Sequence, residues 1–142
     1  MDPITHMLTD LARLRLQYIT DTLSPYEMKA FHALNLVQIC RTPGLSQDVL
    51  ARRRMADKSS IARQAAAMEE SGLITRVPCA DDKRVMKLYP TQKALELLPT
   101  IEQMLLSWEN QLTQDLEEPE KAQLVELLLR MKQRALEMKE AE

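Results

Sequence analysis

Residues Leu45–Thr91 read LSQDVLARRRMADKSSIARQAAAMEESGLITRVPCADDKRVMKLYPT. Ser46 opens a short helix: its side-chain oxygen can take an orphan backbone N–H, and Asp48 meets the positive end of the helix dipole. That helix buries Val49 and Leu50 and ends near Arg53–Met55. Asp57 caps a second helix, whose buried face is marked by Ile61, Ala65 and Met68. Gly72 stops it, with Leu73 supplying the apolar contact of a Schellman end. Small Ala62, Ala65 and Ala66 allow a neighbouring helix to approach closely. From Ile74 the period changes from near 3.6 to 2. Ile74–Pro78 and Val85–Tyr89 read as two strands around the polar break Ala80–Lys83. Helix, tight turn, helix and hairpin in that order predict a winged helix-turn-helix, which can set one helix in a DNA major groove and a wing on the adjacent backbone.

Charge supports this reading once its distribution is considered. The whole chain of 142 residues carries a formal charge of −2, yet Ala51–Lys87 carries nine basic and five acidic residues, a net of +4. The rest of the chain sums to −6. A basic middle between acidic ends is an electrostatic footprint on one part of the surface. Arg52, Arg53 and Arg54 form a plain charge run, for which solvated surface is as good a reading as phosphate contact.

Only two glycines are present, which argues against phosphate loops, and the dominant Leu, Ala, Met, Glu, Gln and Lys are helix formers. A mostly α fold with a small β-hairpin wing follows, in a single domain spanning residues 1–142. No run of about 18 apolar residues predicts a membrane span. MDPITHMLTD is not patterned as a signal peptide, so the expected location is cytoplasmic, with Cys40 and Cys79 as free thiols. His6 and His32 with Cys40 make no recognised metal-ligand spacing. No catalytic triad or carboxylate pair is evident either, so neither an enzyme nor a cofactor is expected.

Outside the central stretch the pattern is helical. Ile4, Met7, Leu8, Leu11, Leu14 and Tyr18 define a helix over residues 4–20. Ser24, Pro25 and Glu27 read as the N-cap, first position and capping-box partner of the next helix, with Leu23 stapled to Met28. That helix runs through Phe31, Leu34, Leu36 and Ile39 and stops near Thr42–Gly44. Thr91 caps a long helix over 92–113, which Pro99 should kink. Glu117–Glu120 starts the last helix, through Leu124, Leu127, Leu128, Met131 and Leu136. A core over residues 24–91 does not need this much flanking helix to cover itself. Residues 1–20 and 92–142 are therefore read as N- and C-terminal dimerisation helices.

These residues resemble the MarR family of bacterial transcriptional regulators. The resemblance covers most of the chain and is strongest over Gly44–Thr91. It is carried by Gly44–Ala51, by Asp57–Ile61 opening the groove-reading helix, by Met68–Ile74 at its exit, and by Asp82–Arg84 with Leu88 and Thr91 around the wing. Ala66 and Ala67 stand where many relatives have an Asp–Arg pair, Pro90 where leucine is usual, and Ala94 where glycine is common. The resemblance implies a homodimer on an inverted-repeat, double-stranded operator, most simply a repressor released by a small effector, often aromatic or phenolic.

The residues expected to meet DNA follow from element position. Lys58, Ser59, Ser60, Ala62, Arg63 and Gln64 lie on the N-terminal turns of the reading helix. There Arg63 could grip guanine, and Gln64 could either pair with adenine or face the core edge. Ser46 and Gln47, with Ser59, are placed on phosphates. Arg84 is the wing-tip contact, held by Asp82, with Lys83 and Arg76 adding charge along the backbone. Tyr18, Tyr26, Phe31, His32 and Trp108 are effector-pocket candidates by location, with core packing as their competing reading. A second function class stays open: a winged-helix protein–protein module that no longer binds DNA, motivated by the acidic total and by Ala66–Ala67.

Overall fold

A computed structural model describes residues 2–141. The chain divides into two compact units, Met1–Leu106 and Ser107–Glu142. In order it forms α1 (Pro3–Leu23), a 3₁₀ turn (Ser24–Tyr26), α2 (Ala30–Arg41), β1 (Leu45–Ser46), α3 (Gln47–Arg54), α4 (Lys58–Glu70), β2 (Ile74–Pro78), β3 (Met86–Pro90), α5 (Gln92–Leu112) and α6 (Glu118–Glu140). The mostly α class with a small wing is what the sequence led us to expect.

Local rules hold best at the helix-turn-helix. Ser46 Oγ accepts from Val49 N at 3.1 Å, and an Asp57 carboxylate oxygen accepts from Ser60 N at 2.7 Å. Each cap satisfies one of the donors that a helix start leaves open. At the end of α4, Gly72 takes a left-handed φ of +77°. Leu73 N donates back to Met68 O at 2.9 Å and Gly72 N to Glu69 O at 3.0 Å, with Leu73 buried beyond them. This is the hydrogen-bond pair of a Schellman end.

The structure corrects the reading of residues 23–30. Ser24 does not cap α2, and Glu27 closes no capping box. The α1 helix continues to Leu23 and tightens into the 3₁₀ turn, and Glu27 adopts a left-handed φ of 55°. The α2 helix starts only at Ala30, where His32 Nδ1 accepts from Lys29 N at 2.8 Å. The start signals at Ser24–Pro25 are real, but they serve a single 3₁₀ turn rather than the following helix.

The sheet also differs from a plain hairpin. It has three antiparallel strands in the order β1-β3-β2. Leu45 lies opposite Leu88, and Ile74 opposite Pro90. The second wing strand begins one residue later than expected and takes in Pro90. Gly44 lets the added strand close: at φ +89° its N donates to Leu88 O at 2.7 Å. A Cβ there would meet the Tyr89 ring at 3.2–3.3 Å.

The core of the first unit gathers Ile19 and Leu23 of α1, Ala33, Leu36 and Ile39 of α2, Leu50 of α3, Ile61, Ala65 and Met68 of α4, Ile74 and Leu88 of the sheet, and Ala94, Ile101 and Met104 of α5. Leu95 of α5 is exposed. The α6 helix contains no buried residue, although Leu124, Val125, Leu127, Leu128, Leu129 and Met131 follow closely in it.

Candidate nucleic-acid interface

The two caps that start α3 and α4 also set the geometry of the surface between them. Asp57 holds Ser60 through both its backbone N and its Oγ, the latter at 2.9 Å. Ser60 Oγ in turn accepts from an Arg63 guanidinium nitrogen at 3.2 Å. These hydrogen bonds hold the Asp57 carboxyl below its ordinary pKa. Ser59 and Arg63 are exposed on the side of α4 opposite Ile61, Ala65 and Met68, and Ala62 is half-buried beside them. Lys58 is exposed and reaches Asp48 of α3 at 3.6 Å. Exposed pairs of this kind contribute little, so Lys58 remains available to an anion.

The residues grouped on this surface are not equally available. The Ser46 hydroxyl oxygen is engaged as a cap. Gln47 is half-buried, and its Oε1 is enclosed without a hydrogen-bond partner among the described residues. Gln64 Oε1 turns inward and accepts from Asn35 Nδ2 at 2.9 Å, which places Gln64 on the core edge of α4. The arginine run is split likewise. Arg53 donates to Thr42 Oγ1 at 2.9 Å. Arg54 is half-buried and donates from Nε to Asn35 Oδ1 at 2.9 Å. Burial, and then the nearby Arg15, lower the Arg54 pKa.

The wing carries two arginines in opposite situations. Arg84 makes a two-pronged contact with Asp82 at 3.0 and 3.1 Å, yet its side chain is 91% exposed. Its guanidinium is oriented by the carboxylate without being covered. Arg76 is bound by Glu69 of α4 through its backbone N at 3.0 Å and its guanidinium at 3.1 and 3.2 Å. That pair stitches β2 to α4, so Arg76 is a structural cation first. Both acids are held below their ordinary pKa by these hydrogen bonds. Lys83 is exposed at the tip.

The effector candidates separate. Tyr26 and His32 line a cavity of about 270 Å³ with Met28, Ser71, Lys93 and Leu97. Phe31 lines a different groove with Leu16, Thr20 and Lys29. Tyr18 packs against the core, and Trp108 belongs to the second unit. The His32 ring is buried, with its centroid 4.3 Å from that of Phe31. Burial, and then Lys29, push its pKa down. Of the two cysteines, burial and then Glu102 raise the Cys40 thiol, whereas backbone N–H groups of Asp81 and Asp82 lower that of Cys79. Among the described residues, no group of His, Cys, Asp and Glu could hold a metal ion, and no helix is long and apolar enough to cross a membrane.

Known proteins share both the sequence pattern and the architecture. The sequence model of the MarR family matches residues 31–85, from α2 to the wing tip. A crystal structure of MarR superposes with a TM-score of 0.84 at 29% identity, covering 100% of this chain and 99% of that one. The transcriptional regulator SlyA gives 0.91 at 26%, covering 96% of each. Over residues 31–85 the chain carries the sequence pattern of the MarR family, and over nearly its whole length it superposes on these two regulators. A third MarR family structure, from Listeria monocytogenes and complexed with a 26mer DNA, has a TM-score of 0.88 at 22% identity, covering 94% of this chain and 89% of that one. The winged helix-turn-helix described above is thus the fold of MarR family transcriptional regulators.

Two features escaped sequence reading. One is the buried Asn35 amide joining α2, α3 and α4. The other is the Glu69–Arg76 clamp. Glu69 sits exposed near a helix end, and no short-range pattern links it to a strand residue seven positions on.

Proposed function

We propose that this protein is a regulator of the MarR kind: homodimeric, sequence-specific in DNA binding, and acting as a repressor that a small aromatic or phenolic molecule releases. The observation that carries the reading is a pair of exposed arginines, each oriented by a hydrogen bond: Arg63 by the Ser60 hydroxyl and Arg84 by the Asp82 carboxylate. Arg63 stands on the outer face of α4 above the Asp57–Ser60 cap, and Arg84 stands at the wing tip on Asp82. In this reading α4 enters the major groove, where Arg63 meets base edges, and Lys58, Ser59, Lys83, Ser46 and Gln47 lie near phosphates. Arg84 reaches the neighbouring minor groove. Residues 1–20 and 92–142 form the dimer, and two α4 helices about 34 Å apart read an inverted repeat. A ligand that prefers a different dimer geometry would lower affinity by shifting the population between the two.

The test is fluorescence anisotropy of the purified chain on its own upstream DNA, across a salt series, with an unrelated duplex as control. Selective binding with a steep salt slope is the expected result, because several phosphates are neutralised. Arg63→Ala and Arg84→Ala should each weaken selective binding by about 1–3 kcal/mol. Absence of binding at low salt would overturn the reading in favour of a protein–protein module.

A further inference from the structure

Asn35 is a polar residue on a helix that also buries Ala30, His32, Ala33, Leu36, Val37 and Ile39, and it is wholly buried itself. Its amide is fully used. Nδ2 donates to Gln64 Oε1 at 2.9 Å and lies 3.7 Å from Met68 Sδ, while Oδ1 accepts from Arg54 Nε at 2.9 Å. Gln64 and Met68 stand one turn apart on α4, and Arg54 is the last residue of α3. One side chain of α2 therefore grips both helices of the helix-turn-helix.

The apolar anchors of α4 are Ile61, Ala65 and Met68, and the Glu69–Arg76 clamp holds only its last turn. Apolar burial is non-directional, so it fixes how near a helix lies better than how it is turned. A single methyl at Ala65 offers little resistance to turning. Hydrogen bonds are angular and weaken steeply off line. A turn of about 20° about the helix axis moves a side-chain tip roughly 5 Å from that axis by about 2 Å. That exceeds the few tenths of an ångström over which a hydrogen bond to a base edge keeps its length.

We infer that Asn35 is a positioning residue for DNA reading: through Gln64 it locks the rotation of α4 about its own axis, and so the direction in which Ser59 and Arg63 leave the helix. The inference rests on the DNA-reading function proposed above. Gln64 is then the grip on α4 and not a base reader.

The experiment uses the full chain and the duplex it prefers from a random library. It measures the ratio of dissociation constants for an unrelated and the preferred duplex, with the salt slope, for Asn35→Leu, Gln64→Leu, the double variant and Asn35→Asp. Each leucine variant should lower the ratio about tenfold, the scale of one lost base contact. Binding to the unrelated duplex and the salt slope should not change. The double variant should lose no more than either single one, because both break the same link. Asn35→Asp should retain selectivity, since a carboxylate accepts from Arg54 Nε and from Gln64 once its amide turns over.

A merely structural loss would reduce the folded fraction and weaken both duplexes alike, leaving the ratio unmoved. Gln64→Leu, at a half-exposed site, keeps the test open if Asn35→Leu does not fold. Unchanged ratios in the single variants would overturn the inference. So would multiplied losses in the double variant, or an Asn35→Asp variant as poor as Asn35→Leu. An unsubstituted chain that selects no duplex overturns the DNA-reading function itself, and the inference with it. That outcome is distinct from a selective parent with indifferent variants.

Discussion

Two amphipathic helices of this chain use their apolar residues in opposite ways. The α4 helix has few, but Ile61, Ala65 and Met68 are each at most 1% exposed. The α6 helix has more and larger ones, and buries none within the chain. Leu124, Leu128 and Met131 still share one helical face at spacings of four and three, and each remains 38–42% exposed. The α1 helix shows the same habit along Met7, Leu8, Leu11 and Leu14. Contiguous exposed apolar surface marks a place where something else packs. The contrast teaches that the helix-turn-helix completes its core within one chain, whereas the flanking helices leave apolar faces uncovered, as the proposed dimer requires.

The largest effect should come from the complete part. Leu36→Ala removes a fully buried side chain of α2 and should cost about 2–5 kcal/mol in urea unfolding; a cost below 1 kcal/mol would mean that this core is loosely packed. Leu128→Glu makes the converse substitution on an outward face. It should leave helix content by circular dichroism intact and shift sedimentation from dimer towards monomer, with dimer affinity falling at least tenfold. An unchanged mass would break the comparison.

Smaller effects sharpen it. Asp57→Ala removes the cap of α4 and should lower unfolding free energy by about 1 kcal/mol, without changing the dimer. The smallest effect is a pH dependence at His32. Burial depresses the pKa of this imidazole below its ordinary value of about 6.5. The unfolded chain therefore binds the proton more tightly, and stability falls as pH drops below about 6.5 towards the folded value. Protonation would also place a hydrogen on Nδ1, which now accepts from Lys29 N. Thermal melts between pH 5 and 8 should show this slope in the parent and lose it in His32→Gln. The Asp57, Glu69 and Asp82 carboxylates, also depressed, act only below the ordinary carboxylate range and do not overlap this window.

What could be read from the sequence was what is local. Caps at Ser46 and Asp57 and the stop at Gly72 depend on residues three or four apart, and the change of period at Ile74 announces the wing. The strand Leu45–Ser46 is too short to show a period, and it pairs with Leu88 and Lys87 far along the chain. Residues 24–27 carry a sound helix-start pattern, yet α1 runs into them and Glu27 turns left-handed, delaying α2 to Ala30. Asn35 meets Arg54 and Gln64 across 19 and 29 positions, a distance at which pattern is silent. At the interface, Arg84 with Asp82 lay within reach of a local rule. The inward turn of Gln64 did not, because its partner comes from another helix.

The short strand between α2 and α3 has a kinetic consequence. Gly44 and Leu45 are tied to Leu88 in the middle strand of the sheet. The wing therefore cannot peel away from the helices without also freeing the entry to α3. Backbone groups at residues 44–46 and 86–90 form one opening unit, and their amide protons should exchange with solvent together rather than in the order of their depth.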